Sequence, residues 1–454
     1  MNLKKATALA LSTLLLPLVV RGADKPNVII LFADDLGYAD VGYQGSPDMK
    51  TPNIDSIARN GVRFSAGYVT APVCGPSRAG LCSGLYQNRF GFEDNPGPYK
   101  VSKEVKIGTP ASVKTLPERM KTLGYKTGMV GKEHTGNLPE FHPNAKGYDE
   151  FFGFVNGASN YRPDGRFGKD MNAPDNPILR NREKVQESEY LTDAFGREAV
   201  AFIDRHQSEP FFLYVAFNGI HGPQQAKDED LERFKDIKDK KRRLAVAMNY
   251  SVDLNIGRVL TALRNHDLEK NTLVVFLSDN GGKPLDNGSQ NTPLRGLKGQ
   301  LWDGGIRIPF CLQWPAQVTA GRKIDTPVIS LDLLPTILAA AGAPVKDKLD
   351  GVDLLAVLTG KAHQLKERSL FWRFNDSWAI RDSTWKLVCF GDKGKPELYK
   401  IATDIGESKN LASVEPVTTL RMEKAYKEWA SQMMPKQWGW NKTFPVYDPQ
   451  MTGE

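Results

Sequence analysis

The chain of 454 residues is 40% hydrophobic and 25% charged, with four cysteines and a formal net charge of +7. That length predicts one large domain with an appendage, or two domains, and the composition excludes a disordered or low-complexity chain. The positive balance is mild and forms no clustered basic stripe, which argues against nucleic acid as a partner, and so few cysteines exclude a disulfide scaffold.

Residues 1–22 read as an export signal. Lys4 and Lys5 precede an apolar run from Ala6 to Val20, too short for a comfortable membrane span, and Val20 and Gly22 supply small residues for cleavage. The mature chain is expected to start near Ala23, with an uncleaved anchor as the alternative. Lys4, Lys5 and Arg21 leave with the signal and no acid goes with them, so +7 falls to +4. The expectation is an exported protein, periplasmic or secreted, with no membrane attachment once the signal is removed.

NVIILFA, Asn27 to Ala33, is a continuous apolar run that fits a strand buried on both faces, and it ends in Asp34 and Asp35. Two adjacent carboxylates there raise one another's pKa unless a cation holds them; a solvated turn is the plainer reading. CGPSRAGLCSG follows from Cys74 to Gly84, and on its own it fits either a small buried cysteine or a pairing of Cys74 with Cys82. Thr115-Leu116-Pro117-Glu118 predicts a capped helix to about Leu123 with Gly124 as its stop. KTGMVGKEH then reads as a strand delivering Lys132 and His134 at its far end.

The same layout recurs twice. A helix from about Tyr190 to Arg205 leads to FFLYVAF, Phe211 to Phe217, which ends near His221. A helix from about Arg242 to Leu263 leads to TLVVFLS, Thr272 to Ser278, which ends in Asp279 and Asn280. This alternation predicts an α/β domain with a large, mostly parallel sheet sandwiched by helices. Asp34, Asp35, Lys132, His134, His221, Asp279 and Asn280 all fall just past the carboxyl ends of strands, where open α/β sheets hold their ligands. The mixed-sign run from Lys227 to Arg243 reads as a solvated helix face.

Past Gly342 the pattern changes. Leu331 to Ala341 is an apolar helix, and Gly351 to Leu358 a loop with a short helix. Four short strands between Ser369 and Ile401 then predict an antiparallel meander, followed by a helix from about Val417 to Met433. The domains are therefore expected at 23–365, a catalytic α/β domain, and 366–454, a C-terminal α+β subdomain. Trp372, Trp378 and Trp385 are expected to pack that helix onto the small sheet, with stacking on sugar rings as the alternative, and Cys311 and Cys389 to be inert core residues. Gly91 to Pro110 and Pro139 to about Gln186 carry no periodicity and read as substrate-facing loops, with Tyr99, His142, Tyr161, Arg162, Arg166 and Arg180 as candidate contacts.

The C-x-P-S-R of Cys74 to Arg78 resembles the signature of type I, formylglycine-dependent sulfatases, in the alkaline phosphatase superfamily. GYKTGMVGKEH is similar to their second signature, with Glu133 where an aromatic residue is more usual, and Cys82 and Ser83 depart from the usual Leu and Thr of the first. VIILFADDLGYAD, FNGIHGP, SDNGG and LRGLKGQLWDGGIRIP also look like family segments in family order, so the likeness covers about Lys25 to Gly342.

That resemblance implies a sulfatase in which Cys74 is oxidised to Cα-formylglycine by a formylglycine-generating maturation enzyme. It further implies one calcium ion held by Asp34, Asp35, Cys74, Asp279 and Asn280, with magnesium as the alternative. Three carboxylates and an amide do suit a hard, oxygen-seeking cation. Arg78, Lys132, His134, His221 and Lys298 match the residues around the sulfate. In the family mechanism a hydroxyl of the hydrated aldehyde attacks sulfur, with His221 or Lys298 protonating the leaving alcohol; His134 then draws a proton from the second hydroxyl, and C–O cleavage expels sulfate. A sulfated oligo- or polysaccharide is the expected substrate, by analogy a marine galactan such as carrageenan. The competing readings are a phosphodiesterase or phosphonate monoester hydrolase of the same superfamily, a choline-sulfatase-like enzyme, and a non-catalytic glycan-binding relative.

Overall fold

A computed structural model of the chain describes residues 25–97, 104–162, 177–343 and 347–439. The expected export signal, Tyr99 and Arg166 lie outside the described residues. Among the described residues no helix is long and apolar enough to cross a membrane.

Asn27–Ala33 is buried at every position and lies inside a ten-stranded sheet. It pairs in parallel with Phe211–Ala216 on one side and Thr272–Ser278 on the other, and Lys126–Lys132 and Glu150–Phe154 extend the parallel set beyond Phe211–Ala216. Phe310–Gln313 runs antiparallel beside Thr272–Ser278 and leads to Val62–Phe64 and Arg322–Ile324 at one edge. Successive residues of the central strand feed opposite cores, as the two-residue period of a strand requires. Ile29, Leu31 and Ala33 pack with Phe195, Ala199, Val252 and Ile256 of the helices Leu191–His206 and Lys240–Asn265. Val28, Ile30 and Phe32 pack on the other face with Leu116, Met120, Leu334 and Ile337.

Register brings the strand ends level. Phe32 aligns with Ala216, Ala33 with Ser278, and Gly131 with Ala216. The helix opened by Thr115 runs Leu116–Thr122; the Glu118 carboxylate accepts the Thr115 N–H at 2.7 Å, and Gly124 follows at φ +81°. Glu150–Phe154 lies inside the Pro139–Gln186 stretch expected to be irregular. Its five residues carry no alternation and include Gly153, so only pairing with Lys126–Lys132 makes it a strand.

The C-terminal part is a four-stranded antiparallel sheet, Leu370–Phe374, Ser377–Arg381, Lys386–Cys389 and Glu397–Tyr399, covered by the helix Pro416–Ala430. Trp378 stacks on Tyr426 with ring centroids 4.4 Å apart, while Trp372 donates its Nε1–H to the Val69 carbonyl of the large domain at 2.7 Å. All four cysteines are free, which removes the Cys74–Cys82 pairing.

A buried ion cluster joins the two parts. The Lys386 ammonium, fully buried on the small sheet, lies 2.8 Å from both Asp303 Oδ1 and Glu407 Oε1. Asp303 also accepts from the Tyr68 hydroxyl at 2.8 Å and from Arg307 at 3.2 Å. Burial pushes the Glu407 carboxyl up to about 7 despite Lys386, and Asp303 beside it adds to the rise. Lys386→Met leaves Asp303 and Glu407 without their shared cation and is expected to cost about 3–5 kcal/mol in denaturant unfolding. The raised Glu407 is protonated below pH 7 and then needs no counter-charge, so the loss is expected to be smaller at pH 5.5 than at pH 8.

Candidate active site

The level strand ends bring Asp34, Asp279, Asn218 and Lys132 side by side. Reciprocal backbone bonds lock the first turn: Asp34 N–H donates to Gly219 O at 3.0 Å and Ile220 N–H to Asp34 O at 2.7 Å. Asp35 then adopts φ +59°, a left-handed conformation that Asp tolerates better than bulkier residues, and its N–H donates to Asp279 Oδ1 at 3.1 Å. Gly281 permits the closest approach here, since a Cβ there would lie 1.8 Å from Gly304 O. The segment bearing Lys298 is thereby packed against the end of Thr272–Ser278.

Cys74 is the first residue of the helix Cys74–Ser83 and is 1% exposed. Its Sγ lies 3.5 Å from Asp34 Oδ1, 4.0 Å from Asp35 Oδ1 and 3.2 Å from Lys298 Nζ. Lys132 Nζ meets Asp34 Oδ2 at 2.6 Å and Lys298 Nζ meets Asp35 Oδ1 at 2.6 Å. Arg78 is fully buried; its Nε and NH2 donate to Asp279 Oδ2 at 3.1 and 2.8 Å and its NH1 to Lys132 O at 2.8 Å. The guanidinium thus faces the carboxylates and the strand end, and stands behind the site rather than at its opening.

Burial dominates the protonation states and neighbouring charge decides their sign. Burial pushes the Cys74 thiol up to about 12, reinforced by Asp279, with Lys132 and Lys298 offsetting only part. Burial and the adjacent Asp34 carboxylate likewise push Asp279 up to about 6. For Asp35, burial is outweighed by Lys298, His221 and Lys132, which hold its carboxyl well below the usual range. Burial together with Lys132 and Lys298 lowers His221 to about 3, and burial with Lys132 and Arg78 lowers His134 well below its ordinary value. Both imidazoles are neutral at pH 7.

His221 Nδ1 is 2.6 Å from Gly222 O, a contact that requires the proton on Nδ1 and leaves the Nε2 lone pair turned toward Asp35 Oδ2 at 3.8 Å. The side chain is 21% exposed and Lys298 11%, so these two form the mouth of the site while Lys132 and Asp34 form its floor.

Several buried polar atoms at this edge have no partner among the described residues: Asn280 Oδ1, His134 Nδ1, and both Oδ1 and Nδ2 of Asn218. Buried polar groups are normally satisfied, so a cluster of orphans marks space for a ligand. Asp34, Asp35, Cys74 and His221 offer ligand atoms all within 4.8 Å of one another. With the orphaned Asn280 oxygen and the adjoining Asp279 carboxylate, this mostly oxygen set could hold a hard divalent cation. Asn218 was not singled out from the sequence; its place after Phe211–Ala216 matched the other site residues, but its amide resembled an ordinary turn residue.

The loop candidates fall elsewhere. Tyr161 is 1% exposed and donates its hydroxyl to His221 O at 2.8 Å, so it braces His221 from behind. Arg162 pairs with Asp228 at 3.0 Å, and Arg180 pairs with Glu198 at 2.7 Å beside the Phe152 ring. His142 is buried edge-on to Phe151 at 5.3 Å. None of these four enters the cluster around Cys74.

Residues 26–343 match the family model described as Sulfatase, and residues 298–433 that described as N-sulphoglucosamine sulphohydrolase, C-terminal. N-acetylgalactosamine-6-sulfatase of Mus musculus is 32% identical over 424 residues, which are 88% of this chain and 79% of the mouse protein. Arylsulfatase A of Homo sapiens is 32% identical over 438 residues, 86% of this chain and 84% of the human protein. The crystal structure of Ps i-CgsB in complex with k-i-k-neocarrahexaose is similar with a TM-score of 0.85 at 37% identity, covering 92% of this chain and 96% of that one.

The acid cluster predicts that millimolar calcium raises the unfolding temperature saturably and that a chelator reverses the shift, as differential scanning calorimetry would read. Asp35→Asn is expected to remove most of that shift, because it deletes a charge that the other donors cannot replace.

Proposed function

The chain belongs to the sulfatase family, and from that premise we propose that it hydrolyses sulfate esters on a carrageenan-type sulfated glycan, with Cys74 oxidised to formylglycine. Cleavage of sulfuric esters follows from the family, and the 37% identity to Ps i-CgsB, solved with k-i-k-neocarrahexaose, supports the glycan. The observation that carries the reading is the placement of Cys74 at a helix start, touching Asp34, Asp35 and Lys298 together. As a thiol pushed up to about 12, Cys74 is a poor nucleophile at neutral pH, which suits a residue that acts only after modification.

Asp34, Asp35, Asp279 and Asn280 would hold one calcium ion, with the modified Cys74 completing the set. When bound, the ion supplies Lewis acidity that lowers the pKa of a hydroxyl and polarises a sulfate oxygen. Once oxidised and hydrated, Cys74 would supply a pair of hydroxyls, the nucleophilic chemistry that its thiol lacks at neutral pH.

The remaining work falls to the chain's own side chains. Three carboxylates, Asp34, Asp35 and Asp279, face three cations, Arg78, Lys132 and Lys298, so the protein groups nearly cancel. With a divalent cation held there the balance would be positive, which suits a monoanionic ester. Lys132 and Lys298, released in part from their carboxylates, would then meet sulfate oxygens, while Arg78 keeps Asp279 oriented. Both groups stand at the mouth, but the Lys298 ammonium is engaged by Cys74 and Asp35, whereas the His221 ring is the more exposed of the two, on the side where the leaving alcohol would depart. His221 is therefore the proton donor of this reading, acquiring its proton with the anionic substrate, whose charge raises its lowered pKa. His134, neutral and with no partner for its Nδ1 among the described residues, would be the acceptor of the second hydroxyl's proton in this reading.

Protein secreted by its own host should titrate three thiols rather than four when denatured, and its Cys74 peptide should carry the mass of the aldehyde. Four thiols would overturn the formylglycine reading. On a panel of sulfated oligosaccharides, an aryl sulfate and a phosphodiester, carrageenan-type oligosaccharides are expected to turn over fastest, and preference for the phosphodiester would reject the assignment. His221→Asn is expected to lower kcat about 10²–10⁴-fold on a sugar sulfate. The loss should shrink at least tenfold on an aryl sulfate with a good leaving group; Lys298→Met should lose equally on both.

A further inference from the structure

A second concentration of positive charge opens on the same edge of the sheet. Val62–Phe64 and Arg322–Ile324 run parallel to Thr272–Ser278 by way of the antiparallel Phe310–Gln313, so their carboxyl ends point the same way as that of Asn27–Ala33. Beyond them lies a cleft of about 660 Å³ between the large domain and the C-terminal sheet. Four cations, Arg63, Arg307, Lys323 and Arg381, line it, and Asp325 is the one carboxylate among its described lining residues.

These cations are not all neutralised. Arg307 reaches Asp303 at 3.2 Å, and Lys323 pairs with Asp325 at 2.7 Å. Arg63 is exposed and, among the described residues, donates only to Tyr43 O at 3.4 Å. Arg381 is the informative residue. It is 4% exposed, its Nε donates to Asp382 O at 3.0 Å and its Nη1 to the Tyr68 hydroxyl, which in turn donates to Asp303, so its counter-charge is reached through that hydroxyl and is shared with Lys386 and Arg307. One carboxylate shared by three cations compensates each only in part, and the Arg381 Nη2 takes part in neither bond.

We propose that this cleft is an anion subsite that holds a second sulfate ester of the substrate chain, remote from the ester being cleaved. The proposal rests on the reading of the substrate as a sulfated glycan. Three inter-strand steps separate Val62–Phe64 from Asn27–Ala33, about 14 Å at roughly 4.8 Å per step. One sugar does not span that distance, so the cleft engages only an oligosaccharide with more than one sulfate. It selects for chain length and sulfation pattern, whereas the Cys74 site selects the ester.

Equilibrium binding tests this without turnover, by calorimetry with carrageenan-type oligosaccharides on the full chain carrying Cys74→Ala, which leaves the ligand intact. The ligands are a monosulfated disaccharide, a hexasaccharide sulfated on every repeat, and the same hexasaccharide after chemical desulfation. Arg63→Ala with Lys323→Ala, both exposed positions, is expected to weaken hexasaccharide binding at least tenfold. Disaccharide and desulfated hexasaccharide binding should stay unchanged. Arg381→Gln, if it folds by circular dichroism, should act in the same direction. Equal weakening of all three ligands, or of none, overturns the subsite. Failure of the sulfatase reading looks different, because the wild-type chain would then release no sulfate from any ester while the binding data still judge the cleft.

Discussion

Three carboxylates, Asp34, Asp35 and Asp279, occupy one dry volume at the carboxyl edge of the sheet, and the surrounding structure is arranged around the cost of that. Each buried charge forfeits several kcal/mol of hydration. Lys132, Lys298 and Arg78 offset it by contacts of 2.6 to 2.8 Å, each drawn from a different part of the chain. The strand Lys126–Lys132, the helix Cys74–Ser83 and the segment before Asp303 must therefore all be in place before the acids can be buried.

This explains why the small C-terminal sheet matters to chemistry it does not touch. Lys298 sits five residues before Asp303, and Asp303 is held by Lys386 across the junction of the two parts. Arg295 donates to Tyr399 and to Glu407 O, fixing the other end of the same segment. The C-terminal sheet is thus the anchor of the cation nearest Cys74.

The departures from the expected signatures also meet in space. Glu133, where an aromatic residue is more usual, is buried and caps the following turn by accepting the Thr135 N–H at 2.7 Å. Burial pushes its carboxyl up to about 7, and its charge in turn adds to the burial that holds the Cys82 thiol at about 12. Glu133 also feels the Arg78 charge, so this departure adjoins the back of the site.

Much of the architecture was legible in sequence because it is local. Buried parallel strands read as unbroken apolar runs, and Asn27–Ala33 and Thr272–Ser278 end where their Asp residues begin. The capping pattern at Thr115 set the helix Leu116–Thr122 to within a residue. The cysteine motif and the acids after each strand gave the membership of the cluster. Tertiary structure decided what local pattern cannot express. Glu150–Phe154 is a strand because a neighbour pairs with it. Arg78 faces Asp279 instead of the opening, and Tyr161 braces His221 instead of meeting substrate. The reason is physical: side-chain type fixes what a residue can bind, but which partner it meets depends on register between strands distant in sequence. The sequence by itself determined the chemistry available at the sheet edge. Only the fold decided which groups form its floor, which its mouth, and which stand behind both.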